Sequence, residues 1–132
     1  EHEIIPWLLT KYNLLLLPLD FNEEGTKFAR YSIPTKASEY MISGTPVLVF
    51  APADTAVSKF FHENECGHCL TQEDEQVVKE TLINLIDDVD YRKKLSRNAM
   101  EIASKLFDAR IVREKFRNMI NEIAYRSKDI PY

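Results

Sequence analysis

Apolar and polar positions along the chain predict short buried strands that alternate with helices. Leu14 to Leu17 is a continuous apolar run that Pro18 ends, and Val47 to Phe50 is a second run of this kind. Gly67 to Leu70 is predicted to form a third, short strand. A helix is predicted before the first strand from the spacing of Ile4, Ile5, Leu8, Leu9 and Tyr12. Such alternation favours a parallel sheet with helices packed outside it.

The second half of the chain is predicted to be helical. Thr71 and Asp74 fit a capping box that opens the first of three helices, and Asp108 is expected to cap the last. Each helix has apolar residues at helical spacing, which predicts one buried face per helix. These faces are Val78, Leu82, Leu85 and Ile86; Tyr91, Leu95, Ala99, Ile102 and Leu106; and Val112, Phe116, Met119, Ile120 and Ile123.

Two further segments complete the predicted architecture. Asp20 to Tyr31 contains Gly25 and has no periodicity, so it is expected to form a surface loop. Asp54 or Thr55 is expected to cap a helix that runs to about His62. The fold predicted is therefore α/β, a Rossmann-like three-layer arrangement with a short parallel sheet of about three strands and C-terminal helices. So small a sheet leaves an open edge, which predicts a partial domain or a dimer formed through that edge.

The segment from Ser32 to Phe50 carries the most informative pattern. Ser32 followed by Pro34 indicates a helix start, and Gly44 is a natural helix stop about ten residues later. The polar side chains of this predicted helix are concentrated in its first two turns, at Ser32, Thr35, Lys36 and Glu39. A helix start that faces the mouth of a parallel sheet and carries hydroxyls, a cation and a carboxylate suits a phosphorylated ligand.

Composition narrows the classes of protein that fit. The chain has 132 residues, 45% of them hydrophobic, and a formal charge of −4, which argues against a nucleic-acid binder. The most apolar stretch, Leu14 to Leu19, is far too short to span a bilayer. The first residue is Glu1 rather than Met, and we therefore expect a piece of a longer protein whose upstream part supplies the missing strands.

The motif residues resemble a known family. The string SIPTKASEYMISGTPVLVFAP is similar to the signature helix and strand in the C-terminal domain of GT-B glycosyltransferases, closest to the sugar-nucleotide-dependent enzymes of bacterial surface-polysaccharide assembly. The matching positions are Leu15 to Pro18; Ser32, Pro34, Lys36, Glu39 and Tyr40; and Gly44, Pro46 and Val47. The resemblance implies that residues 1–132 are the second half of a domain that binds a nucleotide-sugar.

The resemblance also implies a role for each polar residue of the helix. Glu39 would bind the ribose hydroxyls of the donor, while Ser32, Thr35 and Lys36 would lie near its diphosphate. Lys27 and Arg30 would add positive charge from the preceding loop. Backbone N–H groups and a lysine would stabilise the leaving nucleoside diphosphate, so neither a metal nor another cofactor is expected.

The family resemblance leaves the chemistry of transfer open. Many retaining members have a second glutamate eight positions before the conserved one, and Tyr31 occupies that position here. The catalytic groups and the site for the glycan or lipid-linked acceptor are expected in an N-terminal domain outside this chain. The piece alone is therefore expected to be inactive or nearly so. The expected location is cytoplasmic, with the parent protein peripheral at the inner face of the membrane.

Two other functions remain open from the residues. Cys66 and Cys69 form a CGHC motif, which is also the active-site motif of thiol–disulfide oxidoreductases. Turn formation by Gly67 before the third strand explains the same residues without any redox role. A metal site at His62, Cys66, His68 and Cys69 would need an unusual loop to bring four ligands together within eight residues. The second alternative function is a non-catalytic α/β interaction module.

Overall fold

The computed structural model describes residues 4–126, which form an α/β fold around a three-stranded parallel sheet. The strands stand in the order β1-β2-β3, so β2 is central and the other two are edges. Leu16 of β1 is opposite Leu48 of β2, and Val49 of β2 is opposite Cys69 of β3. The strands are β1 (Leu15–Pro18), β2 (Val47–Phe50) and β3 (His68–Leu70).

Helices cover both faces of the sheet, as the predicted three-layer arrangement requires. The seven helices of the described residues are α1 (Ile4–Leu9), α2 (Glu23–Ala29), α3 (Lys36–Ile42), α4 (Ala56–Glu63), α5 (Glu75–Asp87), α6 (Val89–Leu106) and α7 (Ala109–Arg126). Helices α3, α4 and α6 contribute to the larger core on one face of the sheet, and α5 packs against the other face. The α/β class, the parallel sheet and the C-terminal helices are thus confirmed.

The central strand β2 joins the two cores. Val47 and Val49 point into the larger core, where they meet Met41 of α3 and Phe61 of α4. Leu48 points to the other face and joins a second cluster with α5. Since successive side chains of a strand point to opposite faces, a strand covered on both sides must be continuously apolar.

The prediction of a surface loop from Asp20 to Tyr31 is wrong, because this segment contains α2. The side chain of Asn22 caps the helix by accepting a 2.7 Å hydrogen bond from the Gly25 N–H. Two glutamates follow in the first turn, where they interact favourably with the helix dipole. Gly25 weakens the helical signal, but Asn22 followed by acidic residues is a recognisable helix start.

Helix α3 begins later than predicted. Its first residue is Lys36, and its N-cap position is Thr35, whose side chain makes no capping hydrogen bond. The hydroxyl of Ser32 instead donates a 3.0 Å hydrogen bond to the Phe28 carbonyl at the end of α2. Ser32 therefore belongs to the end of one helix rather than to the start of the next. The predicted stop is confirmed, since Gly44 follows the C-cap with φ +78°, a conformation that favours glycine.

The predicted caps of α4 and α7 are confirmed, but the predicted capping box of α5 is wrong, because Thr71 lies outside the helix and Asp74 is itself the N-cap. Thr55 caps α4 by accepting from the Ser58 N–H, and Asp74 caps α5 by accepting from the Val77 N–H. Asp108 precedes α7 and its carboxylate accepts a hydrogen bond from the Arg110 N–H at 2.8 Å. The caps of α4 and α7 are local interactions, which explains why sequence pattern alone identifies them.

Two of the three predicted buried faces are wrong in extent. On α5 only Leu85 is buried, whereas Leu82 and Ile86 are exposed. On α7 the whole predicted face is exposed, because no element of the described residues covers it. The face on α6 is largely confirmed through Leu95 and Ala99, while Leu106 at its end is exposed. Amphipathic spacing identifies the apolar side of a helix but not whether this chain covers it.

We expect Leu85→Ala to lower the free energy of unfolding by about 2–4 kcal/mol, because it leaves a cavity in the smaller core. Its neighbour Ile86 is 69% exposed, so Ile86→Ala is a matched control that should cost less than about 1 kcal/mol. Urea unfolding of both variants measures the difference. Equal losses would show that α5 does not pack as described.

Candidate functional site

The start of α3 lies toward the edge of the sheet where the strands end. Strands β1 and β2 are parallel, and the crossover between them contains α2 and α3, so α3 runs back against the strand direction. After α3, the hydroxyl of Thr45 donates to the Leu9 carbonyl at the end of α1, and the Pro46 carbonyl accepts from the Leu15 N–H, which places the end of α3 beside the start of β1. In open α/β sheets, ligands bind outside the carboxyl ends of the strands, and this is the edge that the start of α3 faces.

Lys36 and Glu39 are both exposed in the first turn of α3. The sequence left open a salt bridge between them, since they are three residues apart. No such ion pair forms, and within the described residues neither side chain has any other ion-pair partner. The cation and the carboxylate are therefore both available to a ligand.

Glu39 lines a shallow groove of about 270 Å³ between α3 and the end of α6. The α6 side of the groove contains Ser104 and Phe107, and Asp108 lies just beyond the helix. Arg110 donates hydrogen bonds to the Asp108 carboxylate and lowers its pKa to about 2, so that carboxylate is ionised at neutral pH. The groove thus combines two carboxylates, the hydroxyls of Ser38 and Ser104, and an aromatic ring.

The other residues predicted near the diphosphate do not line this groove. Ser32 and Thr35 are exposed in the link between α2 and α3, and the Ser32 hydroxyl is held by the Phe28 carbonyl. Because no side chain caps α3, its first backbone N–H groups have no side-chain acceptor. The helix has seven residues, about two turns, so its dipole is weaker than that of the longer helix predicted.

Arg30 and Lys27 differ in whether their charges are already paired within the described residues. The Arg30 guanidinium forms an ion pair with Asp54, with Nη2 and Oδ2 2.8 Å apart. The carbonyl of Arg30 also accepts a 2.9 Å hydrogen bond from the Ala56 N–H, which ties the end of α2 to the start of α4. Lys27 is exposed on α2 and has no ion-pair partner within residues 4–126. Sequence reasoning missed the role of Asp54, since the pair joins residues far apart in the chain.

The CGHC segment lies in an environment that disfavours thiolates. Cys66 is fully buried just after the end of α4, and Cys69 is half-buried in β3. Burial raises the pKa of Cys66 to about 12 and that of Cys69 to about 11. A catalytic cysteine needs the opposite, a helix N-terminus or a nearby cation that lowers its pKa. Both cysteines are free thiols.

Gly67 is required by packing. A Cβ at this position would lie 2.5 Å from Cδ1 of Phe61 and 2.9 Å from the Val47 carbonyl oxygen. The glycine of CGHC thus allows the chain to pass close to the central strand. This close approach is a structural reason for the motif that involves no redox chemistry.

His68 is held by a residue that sequence reasoning did not connect to it. Its Nδ1 lies 3.2 Å from the hydroxyl of Tyr91 on α6, and burial lowers the pKa of the imidazole. The ring is therefore neutral at pH 7. Within residues 4–126, no three His, Cys, Asp or Glu side chains converge as metal ligands.

Helices able to cross a membrane are absent from the described part of the chain. No protein-family model matches the chain, and no curated protein matches its sequence.

We predict that both thiols react slowly with iodoacetamide at pH 7. A pKa of about 11 in place of 9.0 lowers the thiolate fraction of Cys69 roughly hundredfold, and Cys66 is lower still. Unfolding in urea should restore ordinary reactivity. Between about pH 9 and pH 11 the unfolded chain loses these protons before the folded chain, so the free energy of unfolding should fall as the pH rises. Rapid alkylation of the folded chain at pH 7 would contradict this assignment.

Proposed function

We propose that this chain is the donor-binding part of a GT-B glycosyltransferase that transfers a sugar from a nucleoside-diphosphate sugar to a glycan or lipid-linked acceptor. The observation that supports this proposal best is the exposure of two side chains, Lys36 and Glu39. Both are exposed and unpaired in the first turn of α3, at the ligand-binding edge of a parallel sheet. The same two residues belong to the motif that resembles the family.

Glu39 is the proposed ribose ligand. A carboxylate accepts hydrogen bonds from two neighbouring hydroxyl groups at once, which matches the 2′ and 3′ hydroxyls of a ribose. Its groove, about 270 Å³, is smaller than the roughly 300 Å³ at which volumes typical of small-molecule sites begin. A groove of this size fits half a nucleotide pocket, with the remainder contributed by the parent protein.

Lys36 is the proposed diphosphate ligand, together with backbone N–H groups at the start of α3 other than that of Ala37, which already donates to the Pro34 carbonyl. Departure of the nucleoside diphosphate concentrates negative charge on its terminal phosphate, and a lysine placed there stabilises that charge. Since α3 is short, the Lys36 charge supplies more of this stabilisation than the helix dipole does. Ser32, Thr35 and Lys27 are proposed as secondary contacts, and Arg30 contributes less because Asp54 already neutralises it.

The thiol–disulfide alternative receives no support from the environment of the two cysteines, whose pKa values are raised. A non-catalytic interaction module would have the same fold but would not bind nucleotides. Nucleotide binding therefore distinguishes it from the proposed function.

Glu39→Ala should weaken binding of a nucleoside diphosphate by about tenfold or more, the cost of losing charge-assisted hydrogen bonds to the ribose. Glu63→Ala is the matched control, since Glu63 is an exposed glutamate that is the last residue of α4 and does not line the Glu39 groove. Isothermal titration of the chain with uridine, guanosine, adenosine and thymidine diphosphates measures both. If Glu39→Ala binds a nucleoside diphosphate as tightly as the control does, the proposed ribose site is wrong.

Lys36→Ala should weaken the binding of nucleoside diphosphates more than the binding of the corresponding nucleosides, because the proposed role of the lost cation is to contact the phosphates. Arg30→Ala should change binding less, since its guanidinium is paired with Asp54, and should lower the free energy of unfolding by no more than about 1 kcal/mol. Titrations with uridine and uridine diphosphate separate the two effects. If Arg30→Ala lost more affinity for uridine diphosphate than Lys36→Ala, the roles assigned to these two cations would be reversed.

A further inference from the structure

A second concave surface lies at the edge of the sheet opposite the start of α3. Asn13 and Pro46, which line it, stand just before β1 and β2. We call this surface the basic cleft; its walls are the link between α1 and β1, the link between α3 and β2, and the first three turns of α6. Its volume of about 650 Å³ is typical of small-molecule sites, whereas the Glu39 groove is smaller than that range. The basic cleft is therefore formed by segments of this chain and is large enough for a small ligand.

Three cations on α6 line the basic cleft: Arg92, Lys93 and Arg97. Lys93 and Arg97 are four residues apart and share a face of the helix, with Arg92 beside them. Arg97 is exposed and has no ion-pair partner among residues 4–126. Lys93 lies 3.7 Å from the Asp90 carboxylate, and such an exposed pair contributes little. The charges of Lys93 and Arg97 are thus available to a ligand.

Arg92 differs from the other two cations because the protein holds its guanidinium in place. Its Nη1 donates hydrogen bonds to the carbonyls of Leu85 and Ile86 near the end of α5. Within residues 4–126 its Nε and Nη2 have no acceptor, so this pair of donors remains for a ligand. Two parallel N–H groups of one guanidinium match two oxygens of a phosphate or carboxylate. A guanidinium that is already fixed loses less conformational entropy when it binds such a group.

The charge of the basic cleft is opposite in sign to that of the chain. Its charged side chains are the three cations and Asp90, a net charge of +2, whereas the chain carries −4. Helix α6 begins at Val89 in the wall of the cleft, so its first N–H groups add partial positive charge. The carboxylate of Asp88 lines the neighbouring cavity and accepts a 2.8 Å hydrogen bond from the Tyr91 N–H. The cleft is therefore suited to an anion with close to two negative charges.

We infer that the basic cleft binds a small ligand through a phosphate monoester group. At pH 7 such a group carries about 1.5 to 2 negative charges, which matches the net charge of the cleft. A phosphate diester, as in a nucleic acid, carries only one negative charge and is the poorer match. The two arginines bind the phosphate oxygens, and Lys93 adds a third cation. Thr10 and Asn13 on the facing wall supply neutral hydrogen-bonding groups for the rest of the ligand. This inference does not depend on the proposed donor site.

Methyl phosphate and dimethyl phosphate are the matched probes, since they present the same phosphate as a monoester and as a diester. Nuclear magnetic resonance of the labelled chain at constant ionic strength measures their binding. Methyl phosphate should perturb the amides of residues 10–13 and 89–97 and should bind at least about tenfold more tightly than dimethyl phosphate. Because the donor site reports through different amides, at residues 33–40, the failure of one site is distinguishable from the failure of the other.

Arg97→Gln should weaken methyl phosphate binding by roughly tenfold or more, because it removes an unpaired cation from the cleft. Arg117→Gln is the matched control, since Arg117 is an exposed arginine on α7 that does not line the cleft. It makes the same change in net charge and should leave the affinity nearly unchanged. Circular dichroism confirms that both variants are folded.

Two further ligands identify the source of the phosphate. Glycerol 3-phosphate is a soluble metabolite, and dihexanoyl phosphatidic acid below its micelle concentration presents the same group on a lipid. Either one binding at the cleft supports the site, and the tighter of the two names its source. Three outcomes would overturn the inference: no shifts at residues 89–97 with methyl phosphate, equal affinity for dimethyl phosphate, or equal loss of binding in Arg97→Gln and Arg117→Gln.

Discussion

The burial of β2 on both faces is the constraint on which the rest of the structure depends. Val47, Leu48 and Val49 are at most 3% exposed. Val47 and Val49 belong to the larger core and Leu48 to the smaller one, so this strand connects the two. A shift of one residue along this strand would exchange the two faces, so the strand register is strongly specified. The burial of β2 also fixes the position of α3, because Ala37 and Met41 of α3 are fully buried in the larger core beside Val47 and Val49.

This packing explains how a short helix can present a ligand site. The buried side of α3 holds the helix against the sheet and α6, while its first turn remains exposed with Lys36 and Glu39 unpaired. The proposed site is thus a polar turn on a rigid apolar support, as binding sites on α/β folds require. The cysteines of CGHC are part of that support, since Cys66 belongs to the larger core.

Local signals explain how much of this could be predicted from the sequence. The three strands, the cap of α4 and the stop at Gly44 were predicted correctly because each depends on a few neighbouring residues. The start of α3 was misplaced because Ser32 serves the end of α2. The Arg30–Asp54 pair and the groove between Glu39 and Phe107 join distant parts of the chain, and no local pattern specifies such contacts.

We propose above that the start of α3 binds the nucleotide of a sugar donor. Nuclear magnetic resonance of the labelled chain, titrated with a nucleoside diphosphate, tests it directly by locating the perturbed backbone amides. We expect the largest shifts at residues 33–40 and 104–108, around the start of α3 and the Glu39 groove. Shifts that cluster instead around Arg92, Lys93 and Arg97, which line a cleft beside Pro46 at the start of β2, would contradict it.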